Sequence, residues 1–297
     1  MNSIGRLEEW WFQFWDRPLA DQAPVPDLKQ RLMTLPILTL TTDFGSDGPY
    51  VASMKGIILG LAPGTQMVDV SHQISPQNIL EGAFVLASVL DAFPPDTVHL
   101  AVIDPGVGTN RKLKAVRVAG QWVLGPDNGL LGGVCRQRPV DGIWEISNPM
   151  IRRPVVSRTF HGRDILAPAA AFLLCGGNPA ELGPRHEHVL ELTTLQPRIQ
   201  GQEIIGEVIF RDRFGNLITN VRHEELSGRP SSDWQVQISG TQIAGLVQTY
   251  ANRLPGSLVA LVGSSGWVEI AVVNGDAGQT LGAGPGTTVW FRNKQEL

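Results

Sequence analysis

The stretch from Val102 to Lys112, VIDPGVGTNRK, holds the side chains best suited to chemistry on a small molecule. An apolar, β-branched run from Val98 to Ile103 stops abruptly at Asp104, which is how a buried strand delivers a polar group to the edge of a sheet. In open α/β sheets ligands bind at that carboxyl-terminal edge, and the Pro105-Gly106-Val107-Gly108 turn lets backbone amides come close to one. Arg111 follows at a spacing from which the loop can fold its guanidinium back beside the carboxylate. Carboxylate and guanidinium together make a candidate site. The competing local reading has Asp104 capping an ordinary Asp-Pro-Gly turn and Arg111 in water.

The elements that must position such a site repeat the same ending. Ile37 to Thr42 is a buried strand closing in Asp43-Phe44-Gly45, and the strand Gln121 to Leu124 closes in Gly125-Pro126-Asp127-Asn128. Pro49 to Leu61 has helical spacing, Met67 to Val70 is a strand followed by Ser71-His72, and Pro76 to Phe93 reads as a longer helix stopped by Pro94-Pro95. Strand, helix, strand, helix, strand predicts a parallel sheet with right-handed crossovers. Ala115 to Val118 and Gln121 to Leu124 bracket Ala119-Gly120 as a hairpin, and Ile143 to Ile146 is a further strand. Ser157 to Asp164 leads into an alanine-rich helix, Ile165 to Cys175, with Pro168 in its first turn and Asp164 as N-cap. His161 then lies just before a helix N-terminus, another place where polar groups face a ligand.

From about residue 190 the grammar changes to short strands with frequent glycine: 206–210, 217–221, 234–238, 257–262, 267–273 and 287–291. The expected fold class is therefore α/β. An N-terminal α/β domain with a mainly parallel central sheet, residues 35–195, is followed by a smaller antiparallel β-barrel-like domain, residues 196–297. Residues 1–34 stand apart as a tryptophan-rich extension. Its Trp10, Trp11 and Trp15 suit a short amphipathic helix docked where some surface covers the rings.

Bulk properties exclude several classes. With 297 residues, 42% of them hydrophobic, the chain can build real cores, and a net charge of −4 without a basic run argues against a nucleic-acid partner. The two cysteines, Cys135 and Cys175, lack a CxxC partner. They suit a reducing compartment, offer no zinc site and read as small core hydrophobes. No apolar stretch is long enough to span a bilayer, and the N-terminus lacks the basic-then-apolar pattern of a signal peptide, so no membrane and a cytoplasmic location are expected.

TTDFG at 41–45, DVSHQI at 69–74, VIDPGVGT at 102–109, GPDNGLL at 125–131, RTFHGRDILAP at 158–168 and RDRFGNLITN at 211–220 together resemble the S-adenosyl-L-methionine (SAM) hydroxide adenosyltransferases. These are the SAM hydrolases related to the fluorinase and chlorinase enzymes. The resemblance runs from about residue 37 to the C-terminus. It implies an N-terminal α/β domain, a C-terminal barrel-like domain, and a homotrimer whose active sites lie between one subunit's N-domain and its neighbour's C-domain. The family's catalytic aspartate, arginine and histidine fall on Asp104, Arg111 and His161. Asp43 falls on the aspartate that holds the ribose hydroxyls. Asp212, Phe214 and Asn216 fall on residues that hold the methionine amine, stack, and read the adenine. Gln77 stands where the fluorinase has a tryptophan over the ribose, and Ser264-Ser265 where it has a Ser-Arg pair near the methionine carboxylate. The halogenases carry a tyrosine at the position of Asp104 and a threonine at that of Val107, so the halide pocket is missing here.

The implied chemistry suits these residue types. A sulfonium is already a leaving group, so displacement at the ribose 5′ carbon needs no general acid, only a nucleophile held in line. A guanidinium carries donors and no acceptor, so Arg111 cannot be the base. It can stabilise hydroxide character on a bound water while Asp104 holds it and His161 accepts or relays the proton. SAM is then the substrate, and no cofactor and no metal are expected. Three other readings stay open on the residues. A metal hydrolase would gather Asp43, Asp69, Asp104, Asp127 and His161, although no HExxH or DxD pair is present. A non-catalytic SAM or adenosine sensor would keep the pocket alone, and a halogenase would need a different nucleophile pocket. His72, Asp127 and Asn128 are expected to brace loops, and His99, His186, His188 and His223 to be packing or surface residues.

Overall fold

The structure is a computed structural model that describes residues 35–192 and 196–293. The tryptophan-rich segment 1–34, expected to form a short docked helix, lies outside the described residues.

Four strands form the parallel half of the first sheet: β1 (Ile37–Thr42), β2 (Gln66–Ser71), β3 (Val98–Val102) and β5 (Gln121–Pro126), in the order β2-β1-β3-β5. β4 (Leu113–Val118), β6 (Val140–Glu145) and β7 (Arg185–His186) continue it antiparallel as β5-β4-β6-β7. The sheet is thus mixed, because the Ala119-Gly120 hairpin returns β5 beside β3 with β4 on its outer side. β1 and β3 are apolar and buried because both faces are covered. Helix α1 (Pro49–Leu61) sets Met54 and Ile58 against Leu38, Leu40 and Leu100 on one face. Helix α2 (Ile79–Val89) sets Ala83, Leu86 and Ala87 against Ala101 and Ile103 on the other. A short turn of helix, α3 (Gly132–Cys135), follows the Asp127-Asn128 turn.

Where the helix from Pro76 to Phe93 was expected, α2 begins only after Asn78. The side chain of that residue accepts the Glu81 N–H, so an asparagine cap sets the start rather than the proline. Asp164 is not an N-cap either. Residues Gly162–Leu166 form a π-helical turn, with the Ala167 N–H reaching back five residues to Gly162, before α4 (Ala167–Leu174) begins. Cys135 packs against the α2-side core as expected, but Cys175 is exposed, since α4 ends before it and leaves its thiol 3.7 Å from the Leu61 carbonyl.

The second sheet is antiparallel throughout. It runs β12 (Thr241–Ala244), β11 (Trp234–Ile238), β15 (Thr288–Asn293), β9 (Glu203–Arg211), β10 (Leu217–Arg222), β14 (Trp267–Val272), β13 (Leu258–Val262), with β8 (Arg198–Gln200) beside β9. Just after β12, the Val247 N–H bonds the Ala260 carbonyl at 2.9 Å, so the two ends of the path nearly close a barrel. Its interior is filled by alternating residues such as Trp234, Val236 and Ile238. A short α-helix, α5 (Ala277–Leu281), follows β14. Phe84 of α2 packs on Phe210 and Trp267 with ring centroids 5.4 and 6.0 Å apart, joining the barrel to the α/β part.

Candidate active site

β1 and β3 are parallel neighbours with Thr42 opposite Val102, so Asp43 and Asp104 leave the same edge of the sheet side by side. Beyond β3 the chain turns tightly, the Thr109 hydroxyl donating to the Gly106 carbonyl at 2.7 Å. Gly108 has φ +82, and a Cβ on it would lie 2.7 Å from the Arg158 carbonyl oxygen. Only glycine lets this loop rest so closely on the segment that carries His161. The strand exit is also pinned from β5, the Asn128 side-chain amide donating to the Ile103 carbonyl at 2.9 Å. On the other side, Phe44 and Tyr50 each meet the Phe160 ring edge to face, with centroids 5.9 and 5.3 Å apart, tying the loop after β1 to the residue before His161.

These constraints bring the expected trio together. Arg111 Nε donates to the Asp104 carboxylate at 2.8 and 3.0 Å, and Nη2 makes a short charge-assisted bond to Oδ2. The same Nη2 meets His161 Nδ1 at 2.9 Å. The pair is largely shielded, with side chains 6% and 10% exposed for Asp104 and Arg111, so the reading in which arginine is solvated does not hold. Nη1 of Arg111 is engaged by no described residue. Because a guanidinium can only donate, His161 Nδ1 must accept, and the neutral imidazole carries its proton on Nε2. Burial and the Arg111 charge push the His161 pKa down, against the opposing pull of Asp104 and Asp164. The imidazole is therefore neutral near pH 7, with its one basic nitrogen facing Arg111.

Asp43 is half-buried beside this trio. Its Oδ2 accepts the Gln77 N–H at 2.8 Å, while its other oxygen bonds no described residue. Gln77 itself is exposed and held at φ +64, a left-handed conformation rare for a side-chain-bearing residue and a mark of a constrained loop.

The C-terminal candidates form two separate turns. Asp212 takes the Phe214 and Asn216 N–H groups at 2.9 Å on Oδ1 and the Asn216 amide at 2.9 Å on Oδ2, leaving Phe214 79% exposed. Ser264 and Ser265 lie in the turn before β14, and their hydroxyls bond no described residue. Since β10 and β14 are antiparallel and each turn precedes its strand, the two turns sit at opposite ends of the pair. Between them lies a buried carboxylate that sequence reasoning missed, Glu269, which accepts a short hydrogen bond from the Tyr250 hydroxyl. Burial and the nearby Asp212 raise its pKa, against the Tyr250 bond. The signal available for it was a lone glutamate in the otherwise apolar strand WVEIAV. Among the described residues no hydrogen bond or ion pair joins these C-terminal turns to Asp104, Arg111 or His161.

With this geometry in view, the comparisons are decisive. Residues 38–183 match the family pattern of the SAM hydroxide adenosyltransferase N-terminal domain, and residues 206–290 match that of the C-terminal domain. The chain belongs to the SAM hydroxide adenosyltransferase family. It is 36% identical over 256 residues to the (R)-S-adenosyl-L-methionine hydrolase of Thermus thermophilus, covering 84% of this chain and 96% of that protein. The hydrolase of the same name from Salinispora tropica is 37% identical over 254 residues, covering 84% and 95%. The crystal structure of an uncharacterized conserved protein from Thermotoga maritima superposes with TM-score 0.79 at 33% identity, over 86% of this chain and 100% of that one.

In this adenosyltransferase-family chain the remaining polar candidates brace loops. His72 Nδ1 lies 2.9 Å from the Thr42 hydroxyl and His99 is fully buried between Thr39 and Gln121. Asp127 accepts the Leu190 N–H at 2.8 Å and pairs with Lys114 at 2.7 Å. Among the described residues no group of three His, Cys, Asp or Glu side chains is placed to hold a metal ion, and no helix is long and apolar enough to cross a membrane.

Proposed function

We propose that this chain hydrolyses SAM to adenosine and L-methionine, by in-line attack of an activated water on the 5′ carbon of the ribose. One observation carries the reading: Arg111 is clamped between Asp104 and His161 Nδ1 while its Nη1 points to no described partner. Its resemblance to chains named (R)-S-adenosyl-L-methionine hydrolases supports the substrate and the (R) sulfonium epimer. Nη1 holds the nucleophilic water, and the fixed guanidinium charge favours hydroxide character in a site stripped of bulk solvent. As the carbon–oxygen bond forms, the carbon–sulfur bond breaks and its electron pair neutralises the sulfonium. The water's proton passes to His161 Nδ1 as Arg111 Nη2 turns from the imidazole to the new oxygen, and then to solvent.

For binding, Asp43 takes a ribose hydroxyl on its free oxygen and Gln77 lies against the sugar. Asp212, Phe214 and Asn216 hold the amine and the adenine, with Ser264 and Ser265 toward the methionine carboxylate. Residues 35–195 then form the catalytic domain, and residues 196–297 complete the site of a neighbouring subunit in a cytoplasmic homotrimer. What supports that arrangement is the exposed Phe214 and that, among the described residues, no bond joins the two groups.

The test is to incubate the purified full chain with each sulfonium epimer, without added metal or halide, and to follow adenosine and methionine by chromatography. Both products from the (R) epimer are expected. Binding with the sulfonium recovered intact, or turnover only when halide is added, would overturn the reading.

A further inference from the structure

A carboxylate the proposed chemistry does not use sits three residues after His161. Asp164 has no exposed surface and is bonded on every side: Arg163 Nε at 2.7 Å and Nη2 at 3.0 Å, Arg153 Nη1 at 2.9 Å, and the Ser157 backbone N–H at 2.8 Å. Its own carbonyl accepts the Arg153 N–H at 2.9 Å, so the chain from Arg153 to Arg163 is wrapped around one residue. That residue stands inside the π-helical turn Gly162–Leu166. A π turn inserts an extra residue into the helical repeat and re-aims the side chains before it, which is why such turns collect at functional sites. Arg163 also lies over the Phe160 ring at 4.9 Å, fixing the residue next to His161 from its other face.

Resting on the hydrolase reading, we propose that Asp164 is a positioning residue for the reaction. Its buried carboxylate locks segment 153–163 around the π turn and thereby holds His161 Nδ1 at hydrogen-bond distance from Arg111. It also contributes charge. The ionised groups acting on His161 are Arg111 and Asp104 from the loop after β3, and Arg152 and Asp164 from its own segment. Of these, Asp164 favours the imidazolium that forms as the proton is taken up.

The test is steady-state kinetics with SAM against pH on Asp164→Asn, Arg163→Gln, Arg153→Gln, His161→Ala and Asp164→Asn/His161→Ala, with melting curves for each. Asparagine keeps the shape but loses the charge and offers a donor where the neighbours also donate. We expect Asp164→Asn to lower kcat at least about 10-fold with KM nearly unchanged. The acid limb of its profile should move to lower pH, because losing a nearby anion disfavours His161 protonation. Arg163→Gln and Arg153→Gln each remove a donor to the same carboxylate and should lower kcat by a smaller factor. In the His161→Ala background Asp164→Asn should cost nothing further. No SAM turnover by the wild-type chain would remove the hydrolase reading itself, whereas full turnover in His161→Ala would remove the proton role of His161 and with it the positioning role of Asp164. An inactive His161→Ala beside an Asp164→Asn protein with wild-type kcat and acid limb would overturn the positioning role alone. If Asp164→Asn does not fold, wild-type kcat in both Arg163→Gln and Arg153→Gln would overturn it equally.

Discussion

Arg111 is the side chain with the least freedom to change. It spans a carboxylate and an imidazole with one planar group and leaves Nη1 engaged by no described residue, where the proposed water would sit, an arrangement a lysine ammonium cannot reproduce. Arg111→Lys is therefore expected to lose about 10²-fold or more in kcat while SAM affinity measured by calorimetry changes little. The same pattern, turnover lost and binding kept, is expected for Asp104→Asn. His99 makes a prediction about stability. Burial lowers its pKa from 6.5 to about 4, against the Gln121 bond, so the folded state holds it neutral. Its contribution is complete above the unfolded value and is lost as pH falls toward the folded one. Between pH 7 and 5 that loss comes to about 2 kcal/mol. Urea unfolding at both pH values should show this dependence in the wild type and its reduction in His99→Gln. The spacing allowed Asp104 and Arg111 to pair but left the solvated-arginine reading open, and the family resemblance was what favoured the pair. The Arg111–His161 contact was not legible from spacing, since 50 residues separate the two.

At the scale of elements, the close approach of two loops decides the site. Gly108 holds the loop after β3 against Arg158. Gly108→Ala must either strain a left-handed backbone or push the loops apart, at a cost on the order of 1–3 kcal/mol. Turnover should fall at least about 10-fold, since about 1 Å of misplacement is that expensive in a positioned site. Comparing kcat with the melting temperature checks it, and an unchanged kcat would show that the loop contact is irrelevant to catalysis. Regular elements such as α1 and β11 were readable because their periodicity is local. The π turn was not. It arises from Asp164 gathering donors from Arg153, Ser157 and Arg163, and a capping aspartate and a buried one look alike in a sequence. β12 and β8 escaped for a related reason, being short and largely exposed edge strands with little apolar alternation.

At the scale of the whole molecule, the residues proposed to hold the substrate come from two parts of the chain, and among the described residues no hydrogen bond joins the two groups. If neighbouring subunits complete each other's sites, mixing two inactive variants must restore activity. Co-refolded His161→Ala and Asp212→Ala proteins should recover about a quarter of wild-type turnover, since in a randomly mixed ring one interface in four pairs two intact halves. Mixtures as inactive as their components would place each site within one subunit.

The amino-acid sequence by itself determined the α/β order, the barrel-like second sheet and the strand ends at Asp43 and Asp104, because these follow from periodicity and from where apolar runs stop. The tertiary structure alone decided that Nδ1 of His161 is the accepting nitrogen, that Asp212 is tied to its own turn, and that Asp164 is the hub of the His161 segment. The first depends on a donor reaching an acceptor 50 residues away, the other two on which of several nearby donors the fold turns toward one carboxylate, and such choices are made only when packing fixes the distances.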